Sequence, residues 1–475
     1  MSVITRRGFL KATALAGAGA ALEGCSFPRA RAPFDVLILG AGMAGMAAAR
    51  DLARAGLDVV LLEARDRPGG RMETHYDQSP HGLELGAQMI HGSRAPTWDL
   101  IHEFGIETRP LREWGRRQWT PSGGFRDPTP EHQADLQRRL DDAYHAYRGK
   151  DVSYQKFLDP LAISEEDLGL VNEHALSFSA EPDEVSLQAA MEDDATWNAY
   201  LDRNYQVVGG YSSLATQMAE TLGDRVRLSS QATHVEWRPG KVRVTYLREG
   251  HEERVHARRA VVTLPIGILQ SGQPVFAPDL PGWKRRSIDA LHMGRVVVLH
   301  FLFDDWFWRA AAPGANGWTA QGGRISFYDP HPQGKGLPAL QGWITGRAAQ
   351  ALSDLGEKEG IARAVGWIEE ALPGSGAAKR LKWSAFRDWI RDPYSLGSYS
   401  YTRPGGGTQR SVLATPIHDV LYFAGEATQA APHYQTVHGA YLSGRRVARE
   451  ILAGLDLEVA TTGLLPAPAG SGALG

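Results

Sequence analysis

Residues 34–72 read FDVLILGAGMAGMAAARDLARAGLDVVLLEARDRPGGRM, and their order decides the fold. Phe34 to Leu39 is a short continuous apolar run. Such runs suit a parallel strand buried on both faces. A glycine cluster follows, then an alanine-rich helical pattern to about Arg54, closed by Gly56. Leu57 to Leu62 is a second apolar strand. A strand–helix–strand unit of this size opens a doubly wound α/β sheet.

The turn carries Gly40, Gly42 and Gly45 as G-A-G-M-A-G. Gly40 permits the tight turn, Gly42 lets a pyrophosphate approach the backbone, and Gly45 lets the helix pack closely. The helix that starts at Met43 and Ala44 offers amides and a partial positive charge to phosphate. Glu63 ends the second strand, where its carboxylate can accept from ribose hydroxyls. The fingerprint alone does not separate NAD from FAD.

Further strands are expected at 225–228, 242–246, 259–264 and 420–424, and helices at 212–222 and about 436–452. Residues 275–405 are aromatic-rich, with interleaved strands and helices. The expected organisation is a dinucleotide domain in three pieces, 33–105, 206–272 and 409–457. An α+β substrate domain, 106–205 and 273–408, is inserted between them. Residues 1–32 form a signal and linker, and 458–475 a disordered Gly/Pro/Ala-rich tail.

Composition removes several functions. The chain has 475 residues with a formal net charge of −3, which gives no electrostatic reason to bind nucleic acid. Charged residues at 22% and hydrophobic residues at 43% suit an ordinary globular enzyme. The one cysteine, Cys25, lies ahead of the first strand, so the folded region has no disulfide, cysteinyl metal site or cysteine nucleophile. No metal site is expected: HEERVH, 251–256, spaces its histidines five apart in a strand-prone stretch, on opposite faces.

Residues 5–11, TRRGFLK, precede a weakly apolar Ala/Gly stretch and resemble a twin-arginine export signal. Two processing sites compete. Leu22–Cys25 resembles a lipoprotein box that would anchor the chain through Cys25, and Ala30-x-Ala32 resembles a signal-peptidase site. Both imply passage through the twin-arginine export machinery to the periplasm or cell envelope.

Beyond Glu63, Ala64, Arg65, Gly69, Gly70 and Arg71 resemble the double-glycine extension of the flavin-containing amine oxidases, the monoamine and polyamine oxidase superfamily. Five more segments match in the same order. They are ELGAQMIHG (84–92), GGYSS (209–213), VVTLPIGIL (261–269), DPYSLGSYS (392–400) and YFAGEATQAAPHYQTVHGAYLSGR (422–445). The resemblance implies noncovalent FAD, since cysteinyl attachment has no cysteine to use. It places Gly86, Ala87, Gln88 and Met89 beneath the flavin ring, and Gly425 and Glu426 at the ribityl chain. Thr436 and Val437 would stand at the pyrimidine end, and Val235 would meet the adenine through its backbone.

The implied reaction is hydride transfer from the carbon beside a neutral amine to flavin N5. It yields an imine that hydrolyses, and flavin is reoxidised by oxygen with formation of peroxide. Most relatives hold a water against N5 with lysine; in LHMGRVVVLHF (291–301) Arg295 stands there. Arginine stays protonated and is not an equivalent substitute. An amine dehydrogenase with another electron acceptor is therefore an alternative, as is an L-amino acid oxidase using Arg295 or Arg117; a flavoprotein without turnover is less favoured. For the substrate, the resemblance points to His91, to Glu181 in SAEPDEVSLQ, and to Tyr399 and Tyr434 with some of the tryptophans. A polyamine-like or an aromatic amine is implied. The Glu192–Asp194 cluster could attract a polyamine, although most charge runs are solvated faces.

Overall fold

The Phe34–Leu39 strand lies in the middle of a parallel sheet, pairing with Val59–Leu62 on one side and with the end of His251–Val262 on the other. Its side chains are almost wholly buried, which explains the unbroken apolar run. Val226–Arg227 continues the sheet beyond Val59–Leu62, and Leu421–Phe423 joins beyond residues 260–262. The long strand joins the parallel and antiparallel parts of one eight-stranded sheet. Its first half pairs antiparallel with Lys241–Arg248, which pairs in turn with Ser230–Arg238.

The architecture is mixed α/β, seen in a computed structural model that describes residues 33–79, 82–111, 116–120, 123–192, 202–311, 316–330, 336–430 and 433–457. The region read as an export signal, Cys25, Asp193, Asp194 and the 458–475 tail lie outside the described residues.

Helices Met43–Arg54 and Val437–Ala453 pack on one face of the parallel sheet. Small residues allow the close approach: a Cβ at Gly444 would collide with the Ala44 carbonyl. The chain turns one way from Leu39 into the helix and Val59–Leu62, while residues 257–262 lie on the other side. Strand order thus reverses at the carboxyl end of Phe34–Leu39. Such a switch point opens a crevice for a ligand.

A second sheet of seven strands runs in the order 381–388, 296–303, 339–345, 325–328, 317–320, 116–119, 125–126. It is antiparallel except where 317–320 meets 116–119. Gly346–Ala371, a helix interrupted at Gly356, covers one face over a core that includes Trp308, Trp318, Phe327 and Trp367. Another helical layer, from Pro130–Ala146 to residue 191, forms its own apolar cluster around Tyr154, Phe157 and Phe178. The described residues from Phe34 onward form one compact unit.

Candidate active site

A cavity of about 1170 Å³ runs from the switch point to the second sheet and the helical layer. Small-molecule sites are typically ~300–1,000 Å³, so this one has room for a dinucleotide together with a small substrate.

The cradle end is built at the carboxyl ends of the first strands. Gly40, Gly42, Met43 and Ala44 line it, with Glu63, Ala64 and Arg65 from the second strand's end. Gly40 has φ +104°, where only glycine is at ease, and Thr263 Oγ1 stands 2.7 Å from where a Cβ would project. Gly42 has no atom within 4 Å of such a Cβ; that space is the cavity itself. Gly45 faces away from the cavity, its hydrogen side against the Gly40 carbonyl.

Glu63 accepts the Ala41 N–H at 2.8 Å on one oxygen and the Arg65 N–H at 2.9 Å on the other. A carboxylate has about four acceptor positions, so two remain for a ligand hydroxyl. Burial raises its proton affinity despite those bonds and the Arg65 charge.

Gly69 and Gly70 sit beside Gly42, with Gly69 N–H donating to Ala41 O at 2.9 Å. The arginines of this loop depart from expectation. Arg65 grips Asp392 through both terminal nitrogens, at 3.0 and 2.6 Å. Arg67 donates to the carbonyls of Gly70 and Met72 and pairs with Glu73. These two guanidinium groups staple the loop through Asp392, Glu73 and backbone carbonyls. Arg71 lines the cavity, donating to Ser398 O at 2.6 Å and to Glu426 Oε1 at 3.0 Å.

Gly425, Glu426, Thr436 and Val437 also line the cavity. Thr436 caps the 17-residue helix Val437–Ala453, accepting the Gly439 N–H at 2.9 Å, so the helix's positive end faces the cavity. Glu426 accepts from Arg71, Ser400 N, Ser400 Oγ and Gln435 N. Its acceptor positions are filled, so it shapes the wall and offers no spare oxygen to a ribityl chain. Burial opposes its charge, but Arg71 and Arg410 outweigh burial and hold it below the usual carboxylate value.

Gly86, Ala87, Gln88, Met89 and His91 form another wall. Gln88 Oε1 accepts from Tyr328 OH at 2.7 Å, tying this wall to the second sheet. His91 Nδ1 lies 2.9 Å from Asn204 Oδ1, and loss of solvent pushes the ring down to about 4 against that bond, so it is neutral at ordinary pH. Tyr399 lines the cavity and donates to Ser177 O at 2.9 Å. Of the tryptophans, Trp343 and Trp389 reach the cavity, whereas Trp308, Trp318 and Trp367 are core.

Four further expectations are corrected. Glu181 is fully buried and held by Arg324 at 2.6 Å and by the Arg347 N–H at 2.6 Å; it is a structural anion absent from the cavity wall. Arg295 turns its guanidinium onto Glu184 and does not line the cavity. Tyr434 packs in the helical layer, stacked on Phe178 with ring centroids 6.0 Å apart. Val235 is locked between two strands, opposite Val244 and Phe276; Ser230, Gln231 and Ala232, earlier on the same strand, reach the cavity instead.

Sequence reasoning missed Tyr328, Asn204 and Gln435. Gln435 lay inside the quoted 422–445 segment. Tyr328 carries no local signal, because only strand pairing brings it to Gln88.

A family model described as flavin containing amine oxidoreductase matches residues 43–452. The chain belongs to that family. FAD is accordingly its cofactor, and the residues fit: an open glycine turn, a carboxylate with two acceptor positions to spare and a helix N-terminus, all on one cavity. The chain is 30% identical to mouse lysine-specific histone demethylase 1B, with 88% of this chain and 53% of that protein covered. It spans about half the length of that demethylase and of similar curated relatives. It is 28% identical to polyamine oxidase 4 of Oryza sativa subsp. japonica, covering 88% of both chains. To human amine oxidase [flavin-containing] B it is also 28% identical, covering 88% of this chain and 86% of that one. The fold matches wild-type putrescine oxidase bound to putrescine with a TM-score of 0.75 at 24% identity, covering 89% of this chain and 99% of that one. Cyclohexylamine oxidase from Brevibacterium oxydans matches at 0.73 and 21% identity, covering 90% and 100%.

Proposed function

We propose that the protein oxidises a small-molecule amine with FAD. The observation that carries this reading is the single cavity that joins the glycine cradle to an apolar chamber between the second sheet and the helical layer. When bound, the flavin supplies the two-electron acceptor for hydride leaving the carbon beside the amine nitrogen.

The chain's own residues supply binding, geometry and dryness. Gly42 admits the diphosphate and Glu63 receives ribose hydroxyls. The Val437–Ala453 N-terminus offers amides where negative charge would build up. Removal from water disfavours an ammonium ion, so the chamber favours the neutral amine that the reaction needs. His91, held neutral and oriented by Asn204, adds no competing cation. Oxygen is the proposed electron acceptor. Because Arg295 engages Glu184, a protein acceptor or quinone is the second reading.

The test is spectroscopic. Amines are added anaerobically to the purified yellow protein, and air is then admitted. Bleaching followed by fast recolouring with peroxide supports the oxidase. Bleaching with slow recolouring supports the dehydrogenase. A flavin that no amine bleaches refutes amine oxidation.

Export belongs to the same proposal and rests on TRRGFLK at 5–11. Replacing Arg6 and Arg7 by lysine should retain the protein in the cytoplasm, and Cys25→Ala should abolish any lipid label. Unchanged envelope localisation in the lysine variant would refute the export route.

A further inference from the structure

The ionised side chains among the described cavity-lining residues are Glu63, Arg65, Arg71 and Glu426. All four belong to the cofactor cradle, and the last three already hold opposite charges. The far end is walled by Leu136 and Leu140 of helix Pro130–Ala146, by Leu170 and Leu176, and by Tyr328 and Trp343 of the second sheet. Polarity there comes from neutral groups. Gln118 lines the cavity with a buried amide oxygen that has no hydrogen-bond partner among the described residues.

Among the described residues, the charges that could recognise a second ionic group on the substrate are spent elsewhere. Glu181 is bound by Arg324, and Glu184 by Arg295. Glu192 is exposed and takes a hydrogen bond from Gln188 at 2.7 Å. Arg117 is paired with Asp127 at 2.8 Å. A diamine entering this chamber would carry its distal ammonium into a wall with no counter-ion among the described residues. An amino acid would hold its carboxylate on the reacting carbon, where the cationic lining residues among those described, Arg65 and Arg71, are already paired with Asp392 and Glu426. Desolvating an unpaired charge costs far more than burying a methylene gains.

We propose that the substrate is an apolar monoamine, aliphatic or aromatic, whose apolar body fills the far end of the chamber, and that diamines and amino acids are excluded. This rests on the amine-oxidation reading above.

The experiment uses two matched pairs on the full-length holoprotein: hexylamine against 1,6-diaminohexane, and phenethylamine against phenylalanine. Anaerobic flavin reduction gives the ratio of rate to Kd, and perturbation of the bound-flavin spectrum gives binding alone. Each monoamine should exceed its partner at least tenfold by both measures. A diamine or an amino acid that equals its monoamine overturns the inference. If nothing reduces the flavin, the amine-oxidation reading fails, while the binding ranking still decides what the chamber accepts. A second variant reads the same physics. Gln118→Glu installs an anion of the same shape and should raise the diamine-to-monoamine ratio at least fivefold. An unchanged ratio in a variant with full flavin content overturns the inference.

Discussion

Arg71 Nη1 lies 3.0 Å from Glu426 Oε1, across 355 positions of sequence. The pair ties the double-glycine loop to the end of the Leu421–Phe423 strand, and both residues line the cavity. Truncating Glu426 to alanine would take from Arg71 the buried carboxylate it is paired with. Breaking a buried pair from one side costs about 3–5 kcal/mol. Glu426→Ala should lose most of its flavin on dialysis and melt well below the wild type. Glu426→Gln, which keeps an acceptor for Ser400, should be milder on both. Visible absorbance and Tm check the order.

Gly42→Ala and Gly45→Ala add the same methyl group a turn apart with opposite expected outcomes. At position 42 the methyl enters open cavity at a φ of −75°, so the apoprotein should keep its stability while flavin affinity falls at least tenfold. At position 45 it collides with the Gly40 carbonyl, and such overpacking costs about 1–3 kcal/mol or more. Gly45→Ala should therefore lose both stability and flavin. Equal Tm losses in the two variants would contradict the assignment.

Glu181→Gln separates a structural carboxylate from a substrate contact. The variant leaves the Arg324 guanidinium without its charge partner, and about 3 kcal/mol of stability should be lost. At a temperature where it stays folded, KM for the preferred amine should change less than threefold. A large rise in KM with unchanged Tm would return Glu181 to the substrate site.

Glu84 links stability to pH. It accepts from Thr74 Oγ1 and Tyr211 N–H, both at 2.7 Å, yet burial outweighs these bonds and lifts its carboxyl from 4.5 to about 8. Because the folded value is the higher one, the folded state binds the proton more tightly. The contribution is complete below about 4.5 and is lost as pH rises through about 8. The wild-type Tm should fall between pH 5 and pH 8 more steeply than that of Glu84→Gln. Parallel slopes would show that the carboxyl ionises normally.

The sequence by itself determined the parts that are local in the chain. An apolar run, three glycines at fixed spacing and a carboxylate at the next strand's end specify the strand, turn and helix that build the cradle. Period and spacing suffice because each group acts on neighbours within one unit. The 422–445 segment was legible for the same reason, since Gly425 and Thr436 flank a strand end and a helix start. Only the tertiary structure decided where the charges went. Arg295 found Glu184, Glu181 found Arg324, and Arg65 found Asp392, across separations of 111, 143 and 327 residues. Likewise, Ser230, Gln231 and Ala232 reach the cavity where the resemblance had implied Val235, on a strand whose bulge falls between Ala232 and His234. A buried ion pair and a strand register depend on which surfaces meet after folding. That is why the cradle could be read along the chain, whereas the charge-poor character of the chamber appeared only once its partners were in place.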